Sequence, residues 1–209
     1  MTPAYPAPPW HTHGRAYAQL FVVDAARLHL PEGFRPVALA GRAIGILALI
    51  EYVAPSPLTY AELVWMPCMV RAGDDRGYFV ERMYVDSAAS LAGGRELWAL
   101  PKQLATFAIR EREATIETED GASLVVELAK RGPAITVPIS SGTIQDGGDA
   151  VVRFRGSGRA RLRAGGLRVK SARGLDAWTG WAGAVRLPGI GGALDSFEIT
   201  MHPPLHLPK

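Results

Sequence analysis

Apolar positions along the chain fall into short runs, and most runs carry the two-residue period of a strand. Residues 16–23 (AYAQLFVV) read as a first strand. Asp24 follows as an N-cap for a short helix over AARLH, which Pro31 stops. Residues 36–50 are rich in Val, Ile and Leu and are interrupted by Gly41 and Gly45, which suits a buried strand with a bend. Pro55 and Pro57 mark a turn, residues 60–71 form a second long apolar run, and GDDRG at 73–77 is a further turn signal. Residues 78–85 (YFVERMYV) alternate roughly, as a strand does. A short helix is expected over 86–92, capped by Asp86 or Ser87 and ended by Gly93 and Gly94.

Beyond residue 107 the pattern changes to short alternating runs at fairly regular spacing: 113–119, 123–129, 134–139, 151–155, 159–163, 167–170, 184–187 and 197–201. Glycine-containing turns separate most of them, and such spacing argues for an antiparallel sheet that curls or closes. Residues 1–13 hold four of the 16 prolines and neither period, so they are expected to form an N-terminal arm, with 14–209 as a single domain. The expected class is mainly β with a few short helices (α+β).

Composition narrows the function classes. At 209 residues, 48% hydrophobic and 21% charged, the chain is an ordinary globular domain. A single cysteine, Cys68, rules out an internal disulfide and a four-thiolate zinc site. The longest central apolar stretch, 43–50, is far short of the roughly 20 residues a membrane span needs. No secretory leader is visible, so a soluble cytoplasmic protein is expected. The net charge of +3 is small. Residues 153–173 hold seven arginines and Lys170, but only Phe154 is available as a stacking platform, so a solvated face or a contact with a neighbouring subunit's acids is favoured over nucleic acid.

Two weaker candidates precede the main one. His11 and His13 sit one residue apart, but metal sites need three or four ligands in fixed geometry, and a solvated tail explains them. Cys68 lies in WMPCMV with nothing nearby to lower its pKa, so a buried inert thiol is expected. Lys102 differs from an ordinary surface lysine: Trp98, Leu100, Leu104 and Phe107 lie within five positions, and Pro101 restricts the backbone before it. A lysine forced into apolar surroundings is penalised in its charged form, and a neutral amine attacks ketones to form Schiff bases. At an ordinary pKa only about one lysine in 2,500 is neutral at pH 7, and a fall of about 3 units is needed for a useful fraction. Spacing alone also permits a second reading, in which the stem covers apolar surface and the head reaches water.

The words around Lys102 resemble the acetoacetate decarboxylase family, whose pattern is Gly-Arg-Glu, a few aromatic or small residues, and Pro-Lys-Lys-Leu. Here it stands as GRELWALPKQL, from Gly94 to Leu104. MYVDSAASLAGGREL (83–97), LTYAEL (58–63), GRAY (14–17) and AWTG (177–180) are similar to further family segments. The resemblance implies a barrel-like, curled antiparallel sheet with a central pocket, a homo-oligomer, and Schiff-base decarboxylation of a small-molecule keto acid without metal or organic cofactor. It assigns the nucleophile to Lys102, an active-site carboxylate to Glu62 and an active-site arginine to Arg15. Trp98, Leu100, Gln103 and Met83 are expected around the substrate. Gln103 stands where the family has its second lysine, and Leu47 falls near a second family acid. Acetoacetate decarboxylase is itself the standard example of a lysine activated by desolvation or by a neighbouring cation. The same iminium also serves aldol and dehydration chemistry, and a non-catalytic binder of small carboxylates is the alternative from another class.

Overall fold

The alternating runs become strands, and a computed structural model, which describes residues 4–119 and 121–209, joins all of its strands into one sheet. In chain order these are β1 (Trp10–Asp24), β2 (Arg35–Pro36), β3 (Arg42–Val53), β4 (Tyr60–Met66), β5 (Cys68–Ala72), β6 (Asp75–Phe79) and β7 (Arg82–Val85). Helix α1 (Ala88–Trp98) follows, then β8 (Lys102–Ile109), β9 (Glu113–Thr118), β10 (Ser123–Asp146), β11 (Val151–Arg173), β12 (Val185–Met201) and β13 (Leu205–Leu207). The order β11-β12-β1-β3-β4-β7-β8-β9-β10 closes on itself through a β10–β11 pairing, so these strands form a ring. Strands β6, β5 and β2 extend the sheet from β10, and β13 edges β11. The fold is mainly β, as the sequence pattern predicts, although the ring with its side extension is not a simple barrel.

Each ring strand alternates its side chains between two faces. One face, filled by Tyr17, Leu47, Leu63, Tyr84, Ile116, Val126 and Leu167 with Trp65 and Trp178, packs the inside of the ring. The other face of β1, β3, β4 and β7 carries Trp10, Ala48, Val64 and Met83, and α1 covers it with Trp98. Trp98 meets Trp10 edge-on at 4.8 Å and Phe154 at 5.6 Å, and its indole N–H donates to His202 O at 3.0 Å. The helix is therefore pinned against the outside of the ring, and the candidate site lies in that layer.

Several sequence expectations change at this level. Of the expected arm, residues 1–3 lie outside the described residues, and Trp10 to His13 begin β1, with Trp10 only 1% exposed. The proline-rich composition hid that Trp10, inside the segment, packs into the core. The single run at 60–71 is two strands broken at Pro67, and 78–85 is split between β6 and β7. Downstream, runs read as separate short strands merge into the long β10, β11 and β12, because their glycines bend the strands rather than end them. Gly158 is one example: a Cβ there would stand 1.9 Å from Glu198 O on β12, so only glycine lets β11 continue past it.

Most of the arginine-rich run is paired with acids of the same chain. Arg159 reaches Glu198 at 2.8 Å, Arg168 reaches Glu127 at 2.7 Å, Lys170 reaches Glu113 at 2.9 Å, and Arg153 and Arg163 pair with Asp75 and Asp195. Glu198 and Asp195 of β12 and Glu127 of β10 sit on strands next to β11, and Glu113 and Asp75 lie one strand further, so sequence position hid the pairing that the sheet creates. No helix among the described residues is long and apolar enough to cross a membrane.

Candidate active site

The local chain path aims Lys102. Ser87 caps α1 by accepting from Ser90 N at 3.2 Å, and the helix runs through Gly93 and Gly94 instead of ending there. It stops at Ala99, whose left-handed φ of 51° lets Ala99 N and Leu100 N turn back to Arg95 O and Gly94 O. Arg95 Nε then donates to Lys102 O at 2.7 Å, fixing the first residue of β8 against the helix it has just left. Parallel pairing of Lys102 with Met83 on β7 completes its placement. The glycines are present for close approach: a Cβ on Gly94 would lie 2.5 and 2.6 Å from Lys102 Cδ and Cε, and one on Gly93 would meet Trp10 and Tyr5.

The ammonium end of Lys102 is enclosed, with the residue 1% exposed. Nζ donates to Glu62 Oε2 at 2.8 Å, to Ser90 Oγ at 2.8 Å and to Tyr60 OH at 3.4 Å, and it lies 4.9 Å from the Tyr60 ring centre. Glu62 receives a second hydrogen bond from Tyr52 OH at 3.3 Å. The Tyr52 and Tyr60 rings stack at 4.4 Å, because β3–β4 pairing sets Tyr52 opposite Tyr60 and the two-residue period returns Glu62 to the same face. One helix, two antiparallel strands and the start of a third strand thus converge on one nitrogen.

Burial acts on this nitrogen in the direction the sequence implies, since desolvation, the largest single influence, lowers its pKa, but Glu62 and Tyr60 together outweigh it. The net shift of Lys102 is upward, with Tyr60 adding to the same sign. The direction is opposite to the fall that a neutral amine needs, and Lys102 and Glu62 stand as an ion pair at 2.8 Å. Desolvation, reinforced by Glu62, also pushes Tyr60 up to about 12 and Tyr52 well above the usual phenol value, so both hydroxyls keep their protons. Away from the site, burial alone pushes the Cys68 thiol up to about 12, consistent with an inert buried residue.

Of the residues singled out in the sequence, Lys102 and Glu62 come together. Arg15 does not join them. It pairs with Glu51 on β3, while the neighbouring Ile50 pairs with Glu62, so alternation turns Arg15 to the opposite face of the sheet. There it forks onto Glu51 at 2.6 and 2.8 Å and is half exposed. Gln103 is paired with Tyr84, whose side chain belongs to the ring interior, so it too faces away from Lys102. A cation at position 103 in this backbone would not stand beside Nζ. Trp98, Leu100 and Met83 are buried in the layer under α1 as packing residues. Ser90, Tyr60 and Tyr52 were missed; the alternation of Tyr60 with Glu62 and the four-residue step from Ser90 to Gly94 were the available signals. His11 and His13 lie on β1, with His11 Nδ1 3.1 Å from Thr200 Oγ1, and no group of three metal-ligating side chains occurs among the described residues.

The Gly94 contact gives a sharp expectation. Gly94→Ala should displace the Lys102 stem and reduce ketone trapping on Lys102 by about tenfold or more, since a misplacement of about 1 Å can cost 10²-fold. Circular dichroism should report an intact fold. Trapping at the wild-type rate would contradict the placement.

The family model for acetoacetate decarboxylase (ADC) matches residues 2–136. Protein NEOXANTHIN-DEFICIENT 1 of Oryza sativa subsp. japonica is 33% identical over 109 residues, covering 51% of this chain and 36% of that protein. The chain thus matches little more than a third of the length of that curated relative. Acetoacetate decarboxylase from Legionella pneumophila superposes with a TM-score of 0.62 at 16% identity, covering 98% of this chain and 89% of the other. The enduracididine biosynthesis enzyme MppR, complexed with the condensation product of pyruvate and imidazole 4-carboxaldehyde, superposes with a TM-score of 0.57 at 16% identity, covering 97% and 90%. At these identities the two structures establish the shared fold.

Proposed function

We propose, for a chain that belongs to the acetoacetate decarboxylase family, that it is a lyase whose Lys102 forms a Schiff base with a 3-keto acid and releases carbon dioxide. The observation that carries this reading is the buried Lys102–Glu62 pair, closed in by Ser90 and two stacked tyrosines. A fully enclosed ion pair is a poor device for stability alone, because desolving both charges offsets most of their attraction. It is a good device for moving one proton.

The chemistry starts with that proton. Shifting it from Lys102 to Glu62 leaves an amine and a carboxylic acid and removes both buried charges at once, which is far easier in a dry site than losing a proton to solvent. The amine lone pair then attacks the ketone carbon, and Glu62 returns the proton to the developing oxyanion. Loss of water gives the iminium. The bond to the substrate carboxylate breaks, its electron pair moves into the iminium to form an enamine, and carbon dioxide leaves. Protonation at carbon and hydrolysis release the ketone and restore Lys102. Glu62 serves as the acid–base group throughout, with Tyr52 and Ser90 holding the two partners in register. Side chains around Nζ have to part for substrate to enter, since the resting nitrogen is enclosed.

A second reading rests on the condensation product held by the related MppR fold: an enamine on Lys102 adding to an aldehyde instead of following loss of carbon dioxide. Product analysis separates the two. Incubation with acetoacetate and longer 3-keto acids should release carbon dioxide and the shortened ketone, and Lys102→Ala should not. Condensed or dehydrated products without carbon dioxide would favour the second reading, and equal turnover by Lys102→Ala would remove the lysine from either mechanism.

A further inference from the structure

The opposite face of the sheet carries a second, unassigned feature. Where Arg15 and Tyr17 of β1 approach the β8–β9 turn and residues 127–131 in the first half of β10, a cleft of about 460 Å³ opens. Its floor is apolar, formed by Tyr17 and Leu128 of the ring core, each 5% exposed. Five cations rim it: Arg15, Arg110, Arg112, Lys130 and Arg131. Two of these are already satisfied, Arg15 by Glu51 and Lys130 by Asp195 at 3.2 Å. Of the other rim acids, Glu127 is taken by Arg168, which chiefly holds its carboxyl below the usual range. Arg110, Arg112 and Arg131 form no ion pair among the described residues, and Glu111 is the one rim carboxylate left to face them.

These guanidinium groups sit on fixed backbone. Arg110 N donates to Glu113 O at 2.8 Å, closing the turn, and Leu128 N donates to Arg112 O at 2.9 Å, tying the turn to β10. Arg131 occupies the register shift of the β10–β11 pair. An adjoining cleft of about 390 Å³ shares Arg131 and adds Arg186, which also lacks an ion-pair partner among the described residues. Like charges lining one cleft repel one another, and an incoming anion relieves that repulsion. Guanidinium forks match the oxygens of phosphate in paired hydrogen bonds.

We propose that this cleft binds a small phosphorylated compound, with Arg110, Arg112 and Arg131 on the phosphate oxygens and Tyr17 and Leu128 under its apolar part. The site is independent of Lys102, being on the other face of the sheet.

Calorimetric titration of the full chain with sodium pyrophosphate at constant ionic strength tests this. Saturable binding is expected, weakened about tenfold or more in Arg112→Ala/Arg131→Ala, where a tenfold change is about 1.4 kcal/mol. Arg112→Lys should also weaken it, because the charge remains but the fork is lost. The charge-matched control Arg159→Ala/Arg161→Ala, on a separate groove, should bind as the wild type does. Equal losses in both double variants would reduce the effect to general charge and overturn the proposal. Absence of saturable binding up to about 1 mM, which corresponds to only about 4 kcal/mol of affinity, would overturn it as well.

Discussion

Lys102→Met is expected to eliminate ketone adducts and turnover, while the double variant Lys102→Met/Glu62→Leu is expected to fold as stably as the wild type or more so. Both outcomes follow from the energetics of the pair. Both side chains are almost wholly enclosed, at 1% and 5% side-chain exposure, so each has lost nearly all its hydration. Replacing such a pair with apolar groups of similar volume is commonly neutral or stabilising by about 1–4 kcal/mol, whereas removing one partner is destabilising by about 3–5 kcal/mol. The single Lys102→Met variant should therefore lose stability at neutral pH, with Glu62 left buried without its cationic partner. Urea denaturation of the three proteins measures this directly. A double variant less stable than the wild type by more than about 3 kcal/mol would mean that the pair holds the fold together.

Glu62→Gln should reverse the sign of the pH dependence at Lys102. In the wild type desolvation is the largest influence on Lys102 and lowers its folded-state pKa, but Glu62 and Tyr60 together leave it raised. The stability this contributes is fully present below the unfolded lysine value of about 10.4 and is lost as pH rises through the raised folded value. With glutamine at 62 the carboxylate is gone and desolvation dominates, so the folded pKa falls below the unfolded one. Stability is then lowest at acid pH and rises as pH passes through the lowered value, because the unfolded chain binds the additional proton. Between pH 6 and 9 the denaturation midpoint of Glu62→Gln should climb relative to the wild type. Its amine should also be trapped by ketones at lower pH than the wild-type amine, while turnover falls about 10²-fold or more with the acid–base group removed. A midpoint difference that does not change with pH would contradict the assignment of Glu62 as the group that keeps Lys102 charged.

How far the sequence could be read depended on whether a signal was local. Lys102 was legible from the apolar residues and the family words around it in sequence, although the groups that hold its Nζ, Glu62, Tyr60 and Ser90, lie 40, 42 and 12 residues away. Glu62 was legible only by family resemblance. The β-rich class followed from period-two runs, but the ring required knowledge of which strands pair, and that information is spread over β10 and β11 at separations far beyond any local window. Arg15 illustrates the sharper limit. One residue of register decides the face, and Arg15 sits opposite Glu51 rather than Glu62's partner Ile50. Gly93 and Gly94 were misread as a helix end because a glycine needed for close packing looks the same in sequence as one needed for a cap. Ser90 became visible only once α1 was known to continue past them.

The most direct measurement is reduction with borohydride in the presence of acetoacetate and other ketones, followed by mass analysis of the intact chain and its peptides. The account predicts one adduct per chain, carried by the peptide containing Lys102 and missing from Lys102→Met. An unmodified chain after reduction with every ketone tried, or a label placed on a different lysine, would contradict it.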